Sequence, residues 1–122
     1  MVTEDDVFAV LGNPIRRRLL VLLLTFGELC VCELFYAVDL PQTTVSRHLA
    51  VAREAQLVET RRQGTWMYYR LHRDLPPWVS RVIAALKLAP SQHTFSADEH
   101  RLAAMPNRPI RDDEPRGPSC CG

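Results

Sequence analysis

The run Ala37-Val38-Asp39-Leu40-Pro41-Gln42-Thr43-Thr44-Val45-Ser46-Arg47-His48-Leu49-Ala50-Val51-Ala52 decides the fold. Val45, Leu49 and Ala52 recur at spacings of four and three, the stripe of a helix with one buried face. The other early positions, Gln42, Thr43, Thr44, Ser46, Arg47 and His48, carry hydrogen-bonding side chains. Asp39-Leu40-Pro41 reads as a turn, and Pro41 suits a helix start, where no backbone N–H is required. Upstream, Cys30, Leu34 and Val38 stand four apart and share one helical face. The spacing predicts helices over about 28–38 and 42–55. Two short helices around a tight turn, the second polar at its start, make a helix-turn-helix.

Working outward, Leu57–Arg62 and Thr65–Leu71 flank Gln63-Gly64, a short hairpin signal. Trp66, Tyr68 and Tyr69 suit the second strand. A hairpin directly after a recognition helix, with Arg61 and Arg62 near its tip, is a wing. The expected fold is therefore mainly α with a small β-hairpin, a winged helix-turn-helix. Towards the N-terminus, residues 3–11 form an amphipathic helix broken at Gly12. Asn13 offers a cap and Pro14 takes the first position of a second helix, which Gly27 closes. Towards the C-terminus, Leu75, Trp78/Val79, Val82/Ile83 and Leu86 form a wide apolar stripe over 75–88. That stripe needs a cover, which a second copy of the chain would supply, so a dimer is expected. After Ala89 the prolines at 90, 106, 109, 115 and 118 set a different character. This divides the chain into a domain over 1–89 and a Pro-rich, disordered tail over 90–122, ending in Cys120-Cys121-Gly122.

Charge is unevenly placed. Residues 1–40 carry three Arg against six acids, a net of −3, and residues 41–73 carry six Arg against two Glu, a net of +4. A basic middle in a neutral chain is the footprint of a face that meets a polyanion. Leu19 to Phe26 is apolar but too short to span a bilayer. It also follows an acidic N-terminus, unlike an export signal. The chain is expected to be cytoplasmic, with no membrane partner, and its four cysteines to sit in a reducing environment where metal or redox roles outrank structural disulfides. No Gly-rich anion cradle and no Cys-x5-Arg loop is present, so a small thiol enzyme working on a phosphate-like anion is not expected.

The remaining motif is Glu28-Leu29-Cys30-Val31-Cys32-Glu33-Leu34. It sets a soft-ligand pair inside the helix-turn-helix. On a regular helix two residues at i and i+2 point about 200° apart, so one small ion reaches both only if the first turn frays or unwinds. Ligand binding would then strain the element that supports the recognition helix.

These motifs, with Ser46-Arg47-His48-Leu49, Gln63-Gly64 and Tyr69-Arg70-Leu71, resemble the arsenic-responsive repressors of the ArsR/SmtB family over roughly residues 3–88. The resemblance implies a homodimer on double-stranded operator DNA that is released when As(III) or Sb(III) binds Cys30 and Cys32, with no organic cofactor. Arsenic sensors of that family carry a third cysteine where this chain has Phe35. Cadmium and lead sensors add N-terminal cysteines, absent from residues 1–27, and zinc sensors use Asp and His on the last helix, where no His falls between Leu75 and Ala89. Candidate further ligands are Cys120 and Cys121, or glutathione, or none if the ligand is a monomethylated arsenical. A thiol redox switch and a cadmium- or lead-sensing repressor are the alternatives.

Candidate DNA contacts are Gln42 to adenine and Thr43 or Thr44 to a thymine methyl group. Ser46, Arg47 and His48 are placed at the groove rim, and Arg61 and Arg62 at an adjacent minor groove or backbone. Arg16-Arg17-Arg18 is read either as a further backbone contact or as a solvated helix face.

Overall fold

The computed structural model describes residues 2–108. Six helices and three strands follow in order: α1 (Glu4–Leu11), α2 (Pro14–Phe26), β1 (Glu28–Cys30), α3 (Val31–Val38), α4 (Gln42–Glu54), β2 (Val58–Gln63), β3 (Trp66–Leu71), α5 (Pro77–Leu86) and α6 (Gln92–Ala103). Local chemistry explains the boundaries. Thr3 and Asp6 form a capping box at the start of α1. The Asn13 side chain accepts from the N–H groups of Ile15 and Arg16, and Pro14 stands at the first position of α2. Gly27, at φ 87°, ends α2 in a conformation that L side chains avoid. Asp39, at φ 57°, ends α3 in the left-handed region, which Asp tolerates better than most residues.

The α2 helix is the centre of the molecule. Leu19, Leu20, Val21, Leu22 and Leu23 are all buried in succession, so its neighbours surround it. It contacts α1, α3, α4, α5, α6 and strands β1 and β3. The α3–α4 pair lies as the helix-turn-helix, the two helices in contact and burying Leu34, Ala37 and Val38 on one and Val45, Leu49 and Ala52 on the other. The hairpin β2–β3 closes through Gly64-Thr65, with Gln63 opposite Trp66 and Gly64 at φ 61°. This is the winged helix-turn-helix expected, mainly helical with a small antiparallel sheet.

Two expectations are corrected. Residues 28–30 are not the first turn of α3. They form a third strand, antiparallel to β3, with Glu28, Leu29 and Cys30 opposite Arg70, Tyr69 and Tyr68, and the sheet order is β1-β3-β2. The outer edge of β3 offers unpaired backbone groups, and the run from Gly27 satisfies them. The second correction concerns the expected disordered tail. Residues 92–103 fold as α6, and Phe95, Asp98 and Leu102 are buried at spacings of three and four. The packed domain therefore continues well beyond residue 89. The prolines at 90 and 106 bracket this helix instead of interrupting it. The remainder of the expected tail, with Cys120 and Cys121, lies outside the described residues.

The apolar stripe of α5 is only half covered. Val79 and Ile83 are buried against α2, whereas Trp78, Val82 and Leu86 are half-buried and Leu88 is exposed. Among the described residues no helix is long and apolar enough to cross a membrane.

Candidate functional site

Cys30 is the last residue of β1 and the N-cap of α3, with φ −71° and ψ 152°, and Cys32 is in the first turn of the helix. Because Cys30 precedes the helix, the 200° divergence expected of an i, i+2 pair does not apply. The extended backbone at the cap turns the first side chain towards the second. The two Sγ atoms are 3.1 Å apart and both residues are fully buried. No helical turn has to unwind to bring them together.

The pair sits on a structural joint. Cys30 is laddered to Tyr68 of the wing sheet, and Cys32 belongs to the first helix of the helix-turn-helix. Glu33 locks this joint. It is fully buried, and its Oε1 accepts from the Cys30 N–H at 2.8 Å while its Oε2 pairs with the Arg108 guanidinium. Arg108 also lies over the Phe26 ring, 5.7 Å from its centroid. The chain after α6 therefore returns to the cysteine site. Among the described residues no third Cys, His, Asp or Glu gathers with the pair. Two sulfurs each bonded at about 2.3 Å to one soft ion stand roughly 3.3–3.8 Å apart for ordinary bond angles. The observed separation fits a chelating pair with a small adjustment.

On α4, Gln42, Thr43 and Arg47 are exposed, and Thr44, Ser46 and His48 are half-buried on the flanks. The expected reading face is thus brought together on the outside of the helix. His48 is not free-standing. Its Nδ1 lies 3.2 Å from Arg16 Nη1, and burial, then Arg16, then Arg47 hold its pKa below the ordinary imidazole value.

In the wing, Arg62 is exposed, whereas Arg61 is engaged. Its guanidinium donates to both carboxylate oxygens of Glu28 at 2.7 and 2.8 Å and to Gln63, and lies 4.7 Å from the Tyr68 ring centroid. The sequence hides this latch, because a helix over 28–38 keeps Glu28 away from the wing, whereas strand β1 sets it beside β3. At the wing base, Glu59 holds Arg70 and Arg73.

The triplet Arg16-Arg17-Arg18 is neither a solvated face nor simply a row of free cations. Arg17 donates to the Leu11 carbonyl at 2.7 Å. Arg18 donates to both oxygens of Asp98, at 2.7 and 2.9 Å, and to the Val38 carbonyl at 2.8 Å. Arg101 joins the same carboxylate and donates to the Ala37 carbonyl at 2.7 Å. Asp98, fully buried, thereby holds two guanidiniums against the C-terminal carbonyls of α3, groups that the helix itself leaves without donors. The signal available in the sequence was the Phe95, Asp98, Leu102 spacing.

Residues 13–60 match the sequence profile of bacterial regulatory proteins of the arsR family. The chain is 44% identical over 109 residues to the arsenic resistance transcriptional regulator ArsR1 of Pseudomonas putida, covering 89% of this chain and 84% of that one. It is 43% identical over 78 residues to the arsenical resistance operon repressor of Escherichia coli, covering 64% and 67%. Among solved structures, the homodimeric winged helix-turn-helix DNA-binding domain Mb0332 of Mycobacterium bovis superposes with a TM-score of 0.60 at 32% identity, over 73% of this chain and 79% of that one. A fold with a polar recognition helix and a wing, joined to this degree of likeness along most of the chain, identifies the protein as a member of the ArsR family of DNA-binding transcriptional regulators.

Proposed function

We propose that this chain is a homodimeric repressor that holds operator DNA and lets go when As(III) or Sb(III) binds Cys30 and Cys32. The observation that carries the reading is the buried contact of two sulfurs at 3.1 Å, placed where the wing sheet meets the helix-turn-helix. Soft trivalent metalloids prefer thiolate over oxygen or nitrogen ligands. Cys30 and Cys32 would hold the ion, and widening their 3.1 Å separation to suit it would press on the junction of β1 and α3. Glu28 and Cys30 share β1, so Arg61 and the wing move with it, and α4 moves with α3. DNA binding needs wing and recognition helix in one fixed relation, so a change of a few degrees weakens both contacts at once.

On the DNA side, Gln42, Thr43 and Thr44 read base edges, with Ser46, Arg47 and His48 at the groove rim. Arg62 takes a backbone phosphate. Arg61 contributes as a latch on Glu28 and reaches DNA only if that ion pair opens. Arg62→Ala is expected to weaken binding to all sequences and lower the salt slope by about one. Arg61→Ala should lower it less. An unchanged slope for Arg62→Ala in a salt titration contradicts the wing assignment. The half-covered stripe on α5 is assigned to the dimer contact.

A third thiolate is assigned to Cys120 or Cys121. Arg108 pairs with Glu33 beside the site. Cys120 lies 12 residues further on, a length that spans at most about 40 Å. Changing both tail cysteines to serine should lower arsenite affinity but leave that of phenylarsenite, which offers two bonds to sulfur, unchanged.

The sulfur contact also favours a second reading, in which oxidation of the pair is the signal. A titration of the protein–operator complex under excess reductant separates the two. Arsenite should release the DNA with the reductant present. Release by peroxide alone, with none by arsenite, selects the redox switch.

A further inference from the structure

We propose that Arg16 is a positioning residue for DNA reading: it fixes His48 of α4 in the tautomer that offers Nε2–H to a hydrogen-bond acceptor on the DNA. The inference rests on α4 being the recognition helix.

The Arg16 guanidinium is held on three sides. Nε donates to the Val10 carbonyl at 2.8 Å and Nη2 to the Ala9 carbonyl at 3.2 Å, both in the last turn of α1. These carbonyls have no donor within their own helix. The remaining nitrogen, Nη1, meets His48 Nδ1 at 3.2 Å. A guanidinium has donors only. Nδ1 therefore accepts, and a neutral ring carries its proton on Nε2. Protonating Nδ1 would set an N–H against an N–H and a cation against a cation. Burial disfavours the imidazolium most, and among the described residues the charged groups acting on the ring, Arg16 from α2 and then Arg47 from its own helix, disfavour it further.

Nε2 has no partner among the described residues. His48 is one turn from Thr44 on the same flank of α4, next to outward-facing Arg47. The ring is thus a neutral donor with its orientation already set. A donor held in place loses little freedom on binding. It accepts only acceptor partners: a phosphate oxygen, or the major-groove acceptors of guanine, adenine or thymine. The arrangement also ties α1 to the recognition helix through one side chain.

The test starts with the unaltered protein. 15N-detected imidazole spectra should show His48 as the Nε2–H tautomer at pH 7, taking up its second proton only below the ordinary imidazole range. An Nδ1–H tautomer, or an imidazolium at pH 7, overturns the proposal. Arg16→Met should mix the tautomers and weaken DNA binding roughly three- to tenfold, the size of one lost hydrogen bond, and Arg16→Lys should restore part of the loss. Thermal melts confirm that each variant folds. His48→Gln, whose amide nitrogen stands near the Nε2 position, should bind better than His48→Asn, whose nitrogen stands near Nδ1. Equal losses on operator and unrelated DNA place the acceptor on phosphate, and a loss on operator alone places it on a base edge. Folded Arg16→Met that binds as the parent does, or equal binding by the two His48 variants, overturns the proposal. If the parent itself binds no DNA, the reading of α4 fails instead.

Discussion

Asp98→Ala should destabilise the domain by about 3 kcal/mol, lowering its melting temperature by roughly 10–20 °C at fixed protein concentration. The carboxylate is fully buried and accepts from Arg18 twice and Arg101 once. Removing it leaves two guanidiniums facing each other beside the end of α3. Breaking a buried pair from one side costs about 3–5 kcal/mol. The lower end applies because the Arg18 and Arg101 side chains keep 18% and 38% exposure, so water screens part of the exposed charge. The damage should spread beyond α6. Arg18 and Arg101 also donate to Val38 and Ala37, so the support of the helix-turn-helix weakens as well. Asp98→Asn, which keeps the shape without the charge, should fall between. A loss under about 1 kcal/mol for Asp98→Ala in a denaturant titration would mean that α6 does not brace α3.

Serine at either Cys30 or Cys32 should cut arsenite affinity by at least about a hundredfold, because a neutral hydroxyl is a poor ligand for a soft ion. Either change removes half of the built pair, and no third ligand group among the described residues compensates. Operator affinity without arsenite should stay near that of the parent, since neither sulfur faces solvent or DNA. Burying a hydroxyl where a sulfur sat costs about 1–3 kcal/mol, so the melting temperature has to be followed alongside. Calorimetric titration under reductant reads the affinity directly. Retained tight binding by both single variants would place the ligand elsewhere.

His48 adds a pH signature. Its folded-state pKa lies below the ordinary value, so on acidification the unfolded chain takes up that proton first. The stability tied to neutral His48 is intact above about pH 6.5 and declines as the pH falls from there towards the folded value. Urea midpoints of the parent and His48→Gln should converge as the pH is lowered through this window. A constant gap would mean the imidazole is not held neutral.

Much of this architecture was legible in the residues. The stripe of Val45, Leu49 and Ala52, the Asn13-Pro14 start and the Gln63-Gly64 turn are local signals, and local physics acts on them directly. What escaped reading depends on distant partners. Residues 28–30 became a strand because β3, some forty residues later, presents a free edge, and no feature of Glu28-Leu29-Cys30 announces that. The corrected strand is also what brings Cys30 onto Cys32, so the error in the element hid the geometry of the site. The Arg16-Arg17-Arg18 run looked like surface charge. Its roles come from carbonyls at helix ends and from Asp98, 80 residues further on from Arg18. The α6 helix was obscured by the prolines around it, although Phe95, Asp98 and Leu102 already carried helical spacing.

The central claim is that the sulfur pair between wing and helix-turn-helix controls the grip on DNA. Fluorescence anisotropy of labelled operator, titrated with arsenite under excess reductant, tests it with the parent and the Cys30→Ser/Cys32→Ser double variant side by side. The parent should leave the DNA in a saturable way, and the folded double variant should bind equally well at the start and stay bound throughout. Arsenite-driven release of the double variant at the parent's concentrations would contradict the account.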